Sequence, residues 1–145
     1  MSTFQINPKF IKDIPSQKII KAIGIVKQSL NIGDCVFSVV IEDESFIHEL
    51  NKKYRKIDAP TDVLAFTANE IDPESNSKYL GDIIIAFPIA KKQAKEYNHE
   101  ILEELMLLII HGLLHLLGYN HKSKKEKLRM FSLQEKILNN LKTAI

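Results

Sequence analysis

The stretch EILEELMLLIIHGLLHLLGYNH, residues 100–121, decides the fold. From Leu105 to Leu117 it is apolar nearly all round, broken only by His111, Gly112 and His115. A helix apolar on every side belongs in an interior, not on a surface. A bilayer crossing needs about 20 apolar residues, more than this run supplies. The expectation is a central buried helix starting at about Glu100. Gly118 can take the left-handed conformation that ends a helix. The chain can then turn back and return His121 to the helix.

Outward from that helix, the pattern alternates. From Ser16 to about Asn31, apolar residues recur at Ile19, Ile20, Ile23, Val26 and Leu30. That is helical spacing, with Gly33 beyond it as a stop. CVFSVVI (35–41) is short, unbroken and β-branched, so it reads as a strand. Asp43 can cap a second helix with Phe46, Ile47, Leu50 and Tyr54 on its inner face. Pro60 disfavours helix before it, and Val63 to Phe66 reads as a strand. ANEIDPESNSK (68–78) is polar and turn-rich and should connect two strands, the second being LGDIIIAF (80–87). Pro88 can open a helix running to about Asn98. Ser123 and Glu126 form a capping-box pattern before a last helix carrying Leu128, Phe131, Ile137, Leu138 and Leu141. The residues before Pro8 suit a short edge strand. The expected fold class is α+β: a small mixed β-sheet covered by helices, with the central buried helix carrying the histidines.

The totals agree with one domain over residues 1–145, large enough to bury its own core. Hydrophobic residues make up 45% and charged ones 26%, which is ordinary for a globular protein. A net charge of +2 permits a polyanionic partner without requiring one. The single cysteine, Cys35, excludes an intramolecular disulfide and reads as a small buried side chain within its strand. MSTFQINPKF at the N-terminus lacks the basic flank and apolar core of a secretory signal. No membrane association and a reducing, cytoplasmic setting are expected.

Three of the five histidines fall within HGLLHLLGYNH (111–121). Residues i and i+4 of a helix share a face, about 5–6 Å apart at Cβ. His111 and His115 therefore point in one direction, and the turn after Gly118 can add His121. Burying two imidazoles among leucines costs on the order of a few kcal/mol unless each is hydrogen-bonded or ligated. A three-histidine site keeps a coordination position open, the mark of a catalytic metal rather than a structural one. The spacing also matches the extended metallopeptidase pattern H-E-x-x-H-x-x-G-x-x-H. There the glutamate is the general base, and here Gly112 stands in its place. The ligand frame without that base points to metal-assisted chemistry on something other than a peptide.

LNKKYRKIDAPTDVLAF (50–66) places Arg55 among Lys52, Lys53 and Lys56, just before a proline turn and a strand. Arginine's planar fork suits a phosphate or carboxylate. Basic residues at a helix C-terminus also complement the helix dipole, so both readings stand. Asp62 and Asp82 each begin a strand, where capping a turn is the default and reaching the site the alternative. HKSKKEKLR (121–129) follows the histidine motif directly. Basic charge at a helix start opposes the dipole, which favours a partner, and anionic nucleic acid would satisfy every cluster.

Taken together, HGLLHLLGYNH, LNKKYRKIDAPTDVLAF and LGDIIIAF, in this order and spacing, resemble the bacterial YbeY family of metal-dependent endoribonucleases and rRNA maturation factors. The resemblance implies one Zn²⁺ per chain on His111, His115 and His121, although other divalent transition metals suit the same imidazoles. It implies Arg55 facing RNA, with Lys53 beside it as a second substrate contact. Arg55 and the three histidines are then the expected catalytic set. The implied substrate is single-stranded RNA, and the implied role is 16S rRNA 3′-end maturation and ribosome quality control, with the ribosome or its small subunit as partner. Two other readings use the same residues: a zinc peptidase lacking the usual glutamate, and a non-catalytic ribosome assembly factor stabilised by metal. The chain departs from the family at Asn120, where aspartate is usual, and at Ala65, often serine.

Overall fold

The structure, a computed structural model, describes residues 3–144. The chain begins with β1 (Thr3–Ile6), a 3₁₀ turn (Pro8–Asp13) and α1 (Ser16–Ser29). It continues through β2 (Cys35–Glu42), α2 (Glu44–Arg55), β3 (Val63–Ile71) and β4 (Lys78–Ala86). Three helices follow: α3 (Phe87–Glu96), α4 (Ile101–Leu116) and α5 (Lys124–Ala144). The four strands form one sheet in the order β1-β2-β4-β3. β1 and β2, and β2 and β4, are parallel, while β3 is antiparallel to β4. The expected mixed sheet in an α+β fold is what the chain forms.

Strand alternation divides the core. Phe37, Val39 and Ile41 of β2, with Ile83 and Ile85 of β4, face α1, α4 and α5. Ile84 and Ala86 point the other way and meet Ile47 of α2. β4 is thus covered on both faces, which accounts for its unbroken isoleucine run. α4 supplies the largest share of the first core: Leu105, Ile109, Ile110, Leu113 and Leu114 are fully buried. Each such side chain contributes about 1.5–3 kcal/mol. Among the described residues, no helix is long and apolar enough to cross a membrane.

Several local expectations shift. α1 is stopped by Asn31, not by Gly33: Asn31 takes φ 57°, and Ile32 N–H closes back on the Lys27 carbonyl at 3.0 Å. This is a Schellman end, which asparagine tolerates as glycine does. β3 runs on to Ile71, so the connection shrinks to the turn before Lys78, with a register shift between Thr67 and Glu70. Cys35, at the first position of β2, is half-buried instead of enclosed. On α2 only Ile47 and Asn51 are buried, while Phe46 and Tyr54 face solvent. On α5 the buried stripe is Met130, Gln134, Ile137, Leu138 and Leu141, with Leu128 and Phe131 outside it.

Candidate metal centre

His111 and His115 stand one turn apart near the end of α4, and their Nε2 atoms are 3.2 Å from one another. Gly118 takes φ 98° and closes the helix, as expected, and the chain turns back through Tyr119. His121 comes to ring-centroid distances of 6.3 Å from His111 and 5.3 Å from His115. One nitrogen from each of the three rings lies within 4.8 Å of the others, a group able to hold a metal ion. Nitrogens about 2.0–2.1 Å from a shared tetrahedral ion would be separated by a little over 3 Å, the spacing His111 and His115 already have.

The surroundings favour a neutral His115 and orient the His111 ring. Gln134 of α5, itself buried, places Oε1 2.8 Å from His111 Nδ1. An amide oxygen there selects the tautomer whose Nδ1–H donates, leaving the His111 Nε2 lone pair directed at His115. Burial, with His111, His121 and Arg55 nearby, lowers His115 to a pKa of about 4, against a hydrogen bond to the Tyr119 backbone. Two imidazole lone pairs facing each other at 3.2 Å repel unless a cation or proton lies between them. Phe131 stacks on the His111 ring at 6.4 Å and shields it from α5's side.

The trio opens into a cleft of about 560 Å³ whose other wall is the start of β3 together with Arg55. Arg55 ends α2, on the opposite side of the sheet. Its Nη2 donates to the Ala65 carbonyl at 2.7 Å, so the guanidinium wraps over the open edge of β3 into the cleft. At Ala65 the departure from serine leaves this contact intact, since the backbone makes it. Asn51 holds the preceding turn: its side chain donates to the Ala59 carbonyl at 2.8 Å. Asp62 fulfils both of its readings. It caps the strand through Val63 N–H at 2.8 Å, and it is the one carboxylate lining the cleft among the described residues. Asp82 instead accepts from the Tyr79 hydroxyl, away from the histidines.

Gly112 has a steric reason. A Cβ at this position would meet Ile83 Cγ2 at 2.8 Å, because α4 presses directly on β4 here. A side chain at this position would require Ile83 to shift, and Gly112 leaves the cleft without the peptidase base there.

Of the residues expected from sequence, Arg55, His111, His115 and His121 line one cleft. Lys53 does not; its Nζ lies over the Tyr54 ring at 5.2 Å, outside the cleft. Asn120 turns its oxygen to Lys122 N–H at 3.1 Å, a bond that an aspartate would make equally well. Gln134 and Asn51 were missed. Gln134 had a signal: it is the single polar residue in the stripe Met130, Gln134, Ile137, Leu138, Leu141.

Comparison with known proteins gives a consistent picture. The family described as Endoribonuclease YbeY matches residues 4–142. A relative named endoribonuclease YbeY from Persephonella marina is 42% identical over 95% of this chain and 86% of its own length. One of the same name from Brevibacillus brevis is 45% identical over 75% of each chain. The solution structure of TM1509 from Thermotoga maritima superposes with a TM-score of 0.66 at 30% identity, covering 97% of this chain and 89% of that one. The matched residues include the whole histidine cleft, and the chain belongs to the YbeY endoribonuclease family.

Proposed function

We propose that the chain, acting as one domain over residues 1–145, is a zinc-dependent endoribonuclease that cuts single-stranded RNA. Its role is in 16S rRNA 3′-end maturation and ribosome quality control, in the cytoplasm and on the ribosome or its small subunit. The observation that carries this reading is the convergence of three histidine nitrogens within 4.8 Å in a cleft that Arg55 also lines.

His111, His115 and His121 would hold one Zn²⁺. When bound, the ion would supply Lewis acidity and make a nearby water more acidic. The remaining roles belong to the chain. Arg55 binds the scissile phosphate through its guanidinium fork and offsets the charge that develops on it. Asp62 accepts a proton from the attacking oxygen, the role that Gly112 cannot fill. Gln134 keeps His111 in the tautomer with Nε2 unprotonated. Lys53, outside the cleft, contacts RNA flanking the cut. Gly112, packed on Ile83 at the place of the peptidase base, counts against the peptidase reading.

The test is metal content and RNA cleavage on one purified sample, beside His115→Ala of equal circular dichroism. About one metal per chain and nicking of unstructured RNA, both lost in the variant, is the expected result. Equal cleavage by both samples would refute the proposal and leave the assembly-factor reading.

A further inference from the structure

A second pocket lies beside the histidine cleft, and the chemistry above leaves it unused. It measures about 230 Å³ and is lined by Asp62, Gln93, Tyr97, Glu104, His111 and Gln134, with two leucines of α4. Asp62, Val63 and His111 line the cleft as well, so the two cavities adjoin. Glu104 is the group without an assigned purpose. Only 2% of it is exposed. Its Oε1 is enclosed and has no hydrogen bond; His99 Nε2, 3.3 Å away, is at ion-pair distance without hydrogen-bond geometry. Acidic residues in a first turn suit the helix dipole. That accounts for Glu103, which Lys142 and His99 engage. It does not account for a neighbour taken into the interior.

A buried carboxylate is strongly unfavourable unless it is paired, metal-bound or protonated. An enclosed polar atom with no partner calls for a water, an ion or a chemical role. Asp62 brings a second carboxylate to the same space. Its Oδ1 caps Val63, but its Oδ2 has only the Gln93 amide, at 3.4 Å. Burial, with the charges of Asp62 and Glu103, raises the pKa of Glu104 against the pull of His99. Among the described residues, no lysine or arginine lines the pocket. Two carboxylates that repel each other thus face one small space, and the chain sets no cation between them.

We infer that this pocket is a second cation site, taking a hard, hydrated divalent ion such as Mg²⁺ or Mn²⁺ on Asp62 and Glu104. Carboxylate and carbonyl oxygens suit such ions, whereas imidazoles suit zinc and its neighbours. Mg²⁺ sheds its waters reluctantly and is usually held by one or two carboxylates while it keeps several of them. At about 30 Å³ per water, the pocket has room for an ion with its retained shell. The amides of Gln93 and Gln134 line the same space and can meet those waters. The inference goes beyond the endoribonuclease reading and does not need it, because the ion binds whether or not the chain cuts RNA. It sets an oxygen site and an imidazole site side by side, with Asp62 in the wall of both.

The probe is Mn²⁺, titrated into the full chain with zinc already on the histidines, since zinc competes better for imidazole. The electron paramagnetic resonance signal of free Mn²⁺ counts what is bound, and water-proton relaxation reports the waters that the ion keeps. The expected result is a single bound Mn²⁺ that Mg²⁺ displaces, with zinc content unchanged. Glu104→Gln keeps the shape and removes the charge, and it should raise Kd about tenfold or more. Asp62→Asn, whose amide oxygen can still cap Val63, should do the same and carries the test should Glu104→Gln fold poorly. Glu74→Gln, at an exposed carboxylate in the turn before β4, should change nothing. Wild-type Kd in both Glu104→Gln and Asp62→Asn overturns the inference. So does a zinc-loaded chain that takes up no Mn²⁺ at roughly 10 mM, above the weakest affinities of such sites; a proton alone then joins the two carboxylates. Mn²⁺ that binds only the zinc-free chain, and is lost in His115→Ala, overturns it too, because the ion then sits on the histidines. A chain that binds Mn²⁺ as expected but cuts no RNA defeats the nuclease reading and leaves this site standing.

Discussion

The two ends of α4 use histidine in opposite ways. Before its first turn, His99 faces carboxylates with both ring nitrogens: Nδ1 is 2.5 Å from Glu103 Oε2, and Nε2 is 3.3 Å from Glu104 Oε1. At the far end, His111 faces an amide oxygen and another imidazole. A nitrogen turned to a carboxylate is stabilised as N–H and has no lone pair to give. A nitrogen turned to a second imidazole, with its opposite N–H anchored, is ready to ligate. The same side chain on one helix is a structural contact at one end and a metal-ligand candidate at the other, and the partner decides which.

The sharpest way to break the contrast is at the ligating end. His115→Ala should remove metal and cost at least about 10³-fold in cleavage rate, since a metal ion contributes several kcal/mol of transition-state stabilisation. Arg55→Ala should cost about 10²-fold with metal content intact, and Arg55→Lys should recover little, because a point charge replaces a fork. Atomic absorption beside a single-turnover assay separates these two outcomes. Gln134→Leu should weaken metal binding by 10- to 100-fold, read by competition with a chelating dye. A Gln134→Leu protein with wild-type affinity would show that the amide does not set the His111 tautomer.

The two ends should also respond to pH with opposite sign. The folded His115 protonates near 4, the unfolded one near 6.5. Between these values the unfolded chain binds more protons, so the metal-free protein should lose stability as pH falls from 6.5 to 4. The loss should be roughly 1–2 kcal/mol once the side chain's partial exposure is allowed for, and His115→Ala should lack it. Glu104 is shifted upward, chiefly by burial. Its contribution is fully present below pH 4.5 and is lost as pH rises through its raised value. Glu104→Gln should flatten that part of the stability curve, the smallest effect of the set. Melting temperature against pH for the three proteins checks both.

The central helix and its histidines were legible because two periods coincide there. The apolar run settles burial, and the i, i+4 spacing settles direction, independently of any neighbour. α2 was legible as a helix but not in its orientation. Phe46, Ile47, Leu50 and Tyr54 all lie within one apolar sector, and only contact with Ile84 and Ala86 selects Ile47 as the residue that is buried. Asn51 is buried because the Ala59 carbonyl needs a donor, a requirement created by a turn eight residues on. Asp62 could be assigned to capping from sequence. Its second position, facing the histidines, depends on where α4 crosses the sheet.

That crossing also bears on how far this motif lies from its peptidase counterpart. On paper a single codon separates HGLLH from HELLH. In space the glycine is a seat: Ile83 occupies the volume that a side chain at 112 would need. Gaining the glutamate therefore demands a smaller or shifted side chain at Ile83, or a helix lifted from the sheet. The two motifs are one letter apart in sequence, and in packing they differ by a second position, Ile83, that must change with the first.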